Sequence, residues 1–318
     1  MKTAKFGGTS LADAARFRQV KRIVSADPEL RFVVVSAPGK RSAEDKKVTD
    51  LLYDCHAAVK TGADPETAFA PVAVRFRQIA QELRLGIDLE AELRQIEKDL
   101  RSGASAAYCA SRGEYLSAIV LAGALGWKFV DAADFVRFDD NGNFLADETN
   151  TYARALFHNV KRAIIPGFYG ATADGEIKTF SRGGSDISGA IVARAVYADI
   201  YENWTDVDGF MKCDPRIVSQ PEVMELITYK ELRELSYMGA NVLHPEAIFP
   251  VRKNDIPIHI RNTFNPESKG TLIVPSKKFF SGAYERKEST VTGIAGKKDF
   301  IAINIEKSMM NNELGFAR

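Results

Sequence analysis

KTAKFGGTSLADAARFRQVKRIVSADPELRFVVVSAPGK occupies residues 2–40 and decides the fold class. KTAKF (2–6) is a short strand candidate, and Gly7 and Gly8 turn the chain. Leu11, Ala14, Ala15, Phe17, Val20, Ile23 and Val24 then recur at helical spacing until Asp27-Pro28 stops the helix. RFVVVSAPGK follows as a β-branched run ending in a Pro-Gly turn, and Val33, Val34 and Val35 are consecutive, as in a strand covered on both faces. Strand, glycine turn, helix and buried strand make a βαβ unit.

Outward from this unit the pattern stays α/β. A helical region is expected over about 48–125, and SAIVLAGALGW (117–127) reads as a buried helix ending at Gly126. Strands are expected at 127–132, 160–172, 177–180, 198–207 and 256–262, and helices at 185–197, 228–239 and 244–254. This predicts a mostly parallel sheet with helices on both sides. Residues 276–290 are basic and turn-rich and read as a linker; FIAINIE (300–306) reads as a strand and NNELGFAR (311–318) as a helix start, too little to bury a core of its own.

Bulk composition narrows the partners. The 43 Lys and Arg against 42 Asp and Glu give +1, so neither nucleic acid nor an anionic membrane is an expected partner. Any anion site must be a local concentration of donors. Cys55, Cys109 and Cys213 are few, odd in number and far apart, which fits a reducing cytosol rather than a disulfide framework, and the four histidines show no metal-ligand spacing. No apolar run approaches the ~18 residues of a membrane span.

Glycine-bearing and charged segments stand where strands end or helices begin. In KFGGTS (5–10) the glycines let the backbone approach an anion, although Lys5 precedes them, the reverse of a P-loop. VVSAPGK places Ser36 just past a buried strand. SRGEY (111–115) sets Glu114 on a helix, and SRGGSD (181–186) sets Arg182, Ser185 and Asp186 at another helix start. WTDVDGFMKCDPR (204–216) crowds Thr205, Asp206, Asp208 and Asp214 at a strand end. Singly, each also reads as a turn or cap, with Ser10, Ser185 or Asp186 as N-caps and Glu114 as a first-turn carboxylate.

Together with MGANVLHPEAI (238–248), these segments in this order resemble aspartate kinases of the amino-acid kinase family, over essentially the whole chain. The resemblance implies a three-layer αβα sandwich. It implies transfer of the γ-phosphoryl group of Mg2+-ATP to the side-chain carboxylate of L-aspartate, the first step towards lysine, threonine, methionine and diaminopimelate. It assigns Lys5 to the phosphates, with the N–H groups of Gly7, Gly8, Thr9 and Ser10 lining the cradle. Asp186 would orient Lys5 and the magnesium shell, with no dedicated metal cage, since magnesium arrives on ATP. Arg182 would clamp the α-carboxylate and Glu114 the α-ammonium, with Ser36, Thr49 and Ser185 holding the substrate. The nucleotide would lie near Thr205, Asp206, Asp208, Met211, Lys212, Arg216 and Asn241.

Two positions depart from many relatives: Asn241 stands where a lysine is usual, and Met211 where a tyrosine is. Lys212 is the candidate to supply the missing charge. The expected domains are a catalytic unit over 1–275 (an amino-acid lobe, about 1–195, and a nucleotide lobe, 196–275), a linker over 276–290, and an incomplete ACT-like regulatory domain over 291–318 that cannot form a feedback-inhibitor site. A homodimer is expected, weakened if that domain is cut short, in the cytoplasm. The rival readings are another small-acid kinase of this fold, such as a glutamate kinase, and a non-catalytic nucleotide or amino-acid sensor. A dinucleotide-dependent oxidoreductase is excluded because no G-x-G-x-x-G follows the first strand.

Overall fold

The structure is a computed structural model that describes residues 1–181, 183–237, 243, 248–286 and 291–296. Among the described residues, eight strands form one sheet in the order β3-β4-β2-β1-β7-β9-β10-β8. Their ranges are β1 Lys2–Phe6, β2 Leu30–Val35, β3 Lys128–Phe129, β4 Ala163–Pro166, β7 Ile200–Thr205, β8 Leu226–Thr228, β9 Ile258–Asn262 and β10 Thr271–Val274. Every pairing is parallel except β9 with β10. A separate antiparallel hairpin joins β5 (Tyr169–Ala171) to β6 (Ile177–Thr179).

The period-2 geometry of a strand sorts the core into two layers. Phe32 and Val34 of β2 face one side, with Ile165, Tyr201 and Ile191; Val33 and Val35 face the other, with Ala4, Phe6 and Trp204. All three valines are fully buried, as the consecutive run implies. The first layer is covered by α6 (Ala146–Phe157) and α7 (Gly184–Ala195), the second by α1 (Ala14–Ala26), α2 (Val48–Lys60), α3 (Pro65–Glu82), α4 (Leu89–Arg101) and α5 (Ala106–Leu125). The α/β sandwich is as expected. Phe6 and Trp204 stack at 5.7 Å in the second layer, each fully buried aromatic contributing about 2–3 kcal/mol of apolar transfer free energy.

Helices α1, α3, α4 and α5 start at side-chain caps. Asp13 accepts the Arg16 N–H at 2.9 Å and opens α1, so Ser10 is not its cap but part of a 3-10 turn, Gly8–Leu11. Asp64 and Ser105 cap α3 and α5 in the same way, and α5 ends at Gly126.

Some elements differ from expectation. The strand expected over 127–132 pairs only at Lys128 and Phe129. The run 160–172 divides between the main sheet and the hairpin, breaking at Gly167 and at Phe168, which adopts φ 78°. Helix α6 and strands β8 and β10 were not foreseen. The segment read as a linker begins with a short helix, α10 (Ser276–Phe280). Helices α8 (Tyr229–Tyr237) and α9 (Ile248–Arg252) match their expected positions where described. The start of 244–254 and the elements expected at 300–306 and 311–318 lie outside the described residues. None of the described helices is long and apolar enough to cross a membrane.

Candidate active site

Loops leaving the carboxyl ends of four neighbouring strands are tied together, at the edge where open α/β sheets bind ligands. Gly7 donates to the Trp204 carbonyl (3.0 Å), Ser36 to Phe6 (3.1 Å) and Gly167 to Val35 (2.9 Å). The loop after β1 meets the loop after β2 backbone to backbone, with Gly39 donating to the Gly8 carbonyl at 2.8 Å. No side chain fits there. A Cβ on Gly8 would lie 2.8 Å from the Ala37 carbonyl, and one on Gly39 within 2.9 Å of three backbone atoms of Gly8 and Thr9.

Lys5 sits at the end of the central strand, and Asn203 is its direct neighbour in register on β7. Adjacent residues of parallel strands point to the same face, here the face that α7 covers. Both side chains therefore meet Asp186 in the first turn of α7: Lys5 Nζ lies 2.6 Å from Oδ1, and Asn203 Nδ2 donates to the same oxygen at 3.0 Å. The Tyr201 hydroxyl donates to the Asp186 carbonyl at 3.0 Å. Asp186 Oδ2 accepts no hydrogen bond among the described residues.

Glu114 lies on α5 and is 5% exposed. Among the described residues its Oε2 has no hydrogen-bond partner. Burial pushes its carboxyl up to about 8, against the opposing pull of a backbone bond at Ala37 and the charges of Arg112 and Lys5. A desolvated carboxyl with one unbonded oxygen beside a lysine marks a place where a cationic ligand group would restore its charge. Gly113 brings α5 close: a Cβ there would sit 2.6 Å from that of Ala37. Ser36 and Thr49 are half-buried, and Ser185 is buried against Gly167. Lys5, Asp186, Ser36 and Glu114 thus share one neighbourhood, while Arg182 and Asn241 lie outside the described residues.

Fewer backbone donors are free around Gly7–Ser10 than expected. The Gly7 N–H is spent on Trp204, and the Ser10 N–H on Gly7. The Ser10 hydroxyl is buried and bonds Thr263 Oγ1 at 2.7 Å. The N–H groups of Gly8 and Thr9 remain the donors without a partner among the described residues. On the expected nucleotide side, Thr263 donates to the Thr205 carbonyl (2.9 Å), so Thr205 lies beside the Ser10 contact. Asp206 is exposed and accepts from the Thr205 hydroxyl at 3.2 Å. Asp208 is engaged by Asn262 (3.0 Å) and Asn265 (3.1 Å), and Met211 forms a bridge with Val223.

The remaining two cations are compensated within the chain. Arg216 grips Asp214 through two oxygens, holding that carboxyl down at about 2. Lys212 lies 2.6 Å from Glu222 and lines a cavity of about 800 Å3 with Tyr284 and Arg286, which none of Lys5, Glu114 and Asp186 lines. The expected role of Lys212 as a substitute charge is therefore not supported by its setting. Among the described residues, no group of three or more His, Cys, Asp or Glu is placed to hold a metal ion.

Residues 3–262 match the model of the amino acid kinase family. The chain belongs to that family. Within it, the chain is 41% identical to aspartokinase 3 of Bacillus subtilis, over all of this chain and 72% of that protein. It superposes on an aspartate kinase of Clostridium acetobutylicum with a TM-score of 0.85 at 45% identity, covering 93% of this chain and 66% of the other. On Escherichia coli aspartokinase III in complex with aspartate and ADP, the TM-score is 0.75 at 27% identity, covering 86% and 64%. Residues that the motifs alone did not reveal are Asn203 and Thr263. Asn203 is recoverable as a polar residue inside a buried strand, whereas Thr263 follows from tertiary register alone.

Proposed function

We propose that this chain transfers the γ-phosphoryl group of ATP to the side-chain carboxylate of L-aspartate. The observation that carries the reading is the pairing of a buried carboxyl, Glu114, whose Oε2 has no partner among the described residues, with the nearby Lys5 held on Asp186. Glu114 suits an α-ammonium, and Lys5 suits the phosphates. The aspartate and ADP held by the E. coli relative support the substrate pair.

The attacking carboxylate is ionised at neutral pH, so no strong general base is required. Positioning and charge neutralisation supply the catalysis. Lys5 neutralises developing charge on the transferring group, and Asp186 and Asn203 fix where its ammonium stands. The Gly8 and Thr9 amides and the partial positive charge of the adjoining 3-10 turn face the phosphates. Ser36, Thr49 and Ser185 orient aspartate, and Arg182 binds its α-carboxylate. Magnesium fits this set through Asp186 Oδ2, one carboxylate oxygen being what a phosphate-borne ion needs, and it would spread the phosphate charge.

The same reading makes 1–275 the catalytic unit, its two lobes meeting where β1 pairs with β7. We place the chain in the cytoplasm, as a homodimer. The test is hydroxamate formation from aspartate or glutamate with Mg2+-ATP and hydroxylamine. Product with aspartate that vanishes in Lys5→Ala supports the reading. Product with glutamate alone indicates the longer substrate, and none with either acid indicates a sensor.

A further inference from the structure

Arg75 projects from the buried face of α3 and is 3% exposed. Burying a guanidinium is costly unless its donors are matched. Here the two terminal nitrogens converge on three carbonyls from separate segments, while Nε finds no partner among the described residues. Nη1 donates to Lys46 at 3.0 Å, and Nη2 to Ala12 at 3.0 Å and to Gly39. Ala12 follows the cradle turn, Gly39 lies in the loop after β2, and Lys46 lies just before α2, which carries Thr49. Asp45 closes the arrangement. Its Oδ2 is 3.2 Å from Arg75 Nη1 and also accepts from Arg41 Nε at 2.8 Å. The loop so fastened is the one whose Gly39 N–H holds the Gly8 carbonyl and whose Pro38 carbonyl takes the Val48 N–H at 3.0 Å.

We infer that Arg75 is a positioning residue for the phosphoryl transfer, fastening the nucleotide cradle and the aspartate-binding loop at a fixed separation. The inference rests on the aspartate kinase reading. Arg75 bonds both loops and the entry to α2 at once, and it is not among the residues proposed to bind either substrate. A shift of about 1 Å between two bound reactants lowers the rate roughly 10²-fold without abolishing the binding of either.

The test compares Arg75→Met, Arg75→Lys and Asp45→Asn with the parent chain. If the inference holds, folded Arg75→Met loses at least ~30-fold in kcat for hydroxamate, while its Kd for ADP by calorimetry stays within about threefold. ADP release then exceeds hydroxamate, because misaligned ATP reacts with water. Arg75→Lys, which keeps the charge and several donors, recovers most of the loss, and Asp45→Asn shows a smaller loss of the same kind. The inference is overturned if Arg75→Met keeps kcat within about threefold of the parent, or if kcat, ADP affinity and thermal midpoint fall together with ADP and hydroxamate still equal. Should Arg75→Met fail to fold, Asp45→Asn decides by the same criteria. A parent chain that makes no hydroxamate refutes the functional reading instead. Amide exchange across 36–47 and at Gly8 then decides, rising in Arg75→Lys or Asp45→Asn if Arg75 fastens these loops and staying unchanged if it does not.

Discussion

Lys5 and Asn203 stand side by side on adjacent parallel strands and reach the same oxygen of Asp186, at 2.6 and 3.0 Å. The lysine supplies charge, and the asparagine supplies only direction. Lys5→Ala is expected to lower kcat by roughly 10²–10³-fold, the usual cost of one preorganised electrostatic group. Asn203→Ala leaves the ion pair and is expected to cost about tenfold, with the KM for ATP little changed. Steady-state kinetics of the two variants check the order. Equal losses would make Asn203 more than a guide.

Glu114 gives the site a pH signature. Its carboxyl is raised to about 8 by burial, so the folded chain holds a proton that the unfolded chain gives up near the ordinary carboxylate range. Proton binding then favours the folded state. This contribution is complete below about pH 4.5, declines as pH rises, and is lost above about pH 8, a change of a few kcal/mol. Glu114→Gln removes the titration. Its thermal midpoint, measured against that of the parent chain, should rise between pH 5 and 8. Aspartate binding at pH 7 should release close to one proton, read as a buffer-dependent heat, because an ammonium beside Glu114 restores its charge. The variant should release none and show a KM for aspartate roughly 10–100-fold higher.

The Gly8–Gly39 contact leaves no room for a methyl group. Gly39→Ala would place a Cβ 2.8 Å from the Gly8 carbonyl carbon, forcing the two loops apart. A stability loss of about 1–3 kcal/mol is expected, with a larger fall in kcat/KM because the cradle moves with the loop. Gly86→Ala is the control, since nothing lies within 4 Å of its Cβ position. It should alter neither the urea midpoint nor the kinetics.

Much of this was legible because the chemistry sits at strand ends, where sequence pattern and position coincide. KTAKF and RFVVV marked adjacent buried strands, and Glu114 and Asp186 fell on the helices expected for them. Helix α6 escaped notice because its buried face is only Thr149, Ala153 and Phe157, too sparse to stand out as a stripe. Strands β8 and β10 are three and four residues long, too short for any period. The occupied amides of Gly7 and Ser10 were hidden for a different reason. The Trp204 carbonyl that takes the Gly7 N–H, and the Thr263 hydroxyl on Ser10, follow from three-dimensional register, which no local motif encodes, while the Ser10 N–H turns back on Gly7 within the 3-10 turn.

The same distinction decides the expectation for Lys212. In sequence it neighbours Met211 and Asp214, and it looked able to replace a charge at the nucleotide. In the fold its ammonium is 2.6 Å from Glu222 and about one-third exposed, and its carbonyl accepts the Ile294 N–H at 2.6 Å. A cation already neutralised by a carboxylate has little attraction left for phosphate, and an exposed pair of this kind contributes only about 0–1 kcal/mol to stability. Lys212→Ala should therefore leave the KM for ATP and kcat within about twofold and barely move the thermal midpoint. A KM for ATP raised tenfold or more, with aspartate unaffected, would mean that nucleotide binding draws Lys212 off Glu222. Glu222→Gln would then tighten ATP binding, since the competing carboxylate is gone, and the pair of variants measured together separates the two cases.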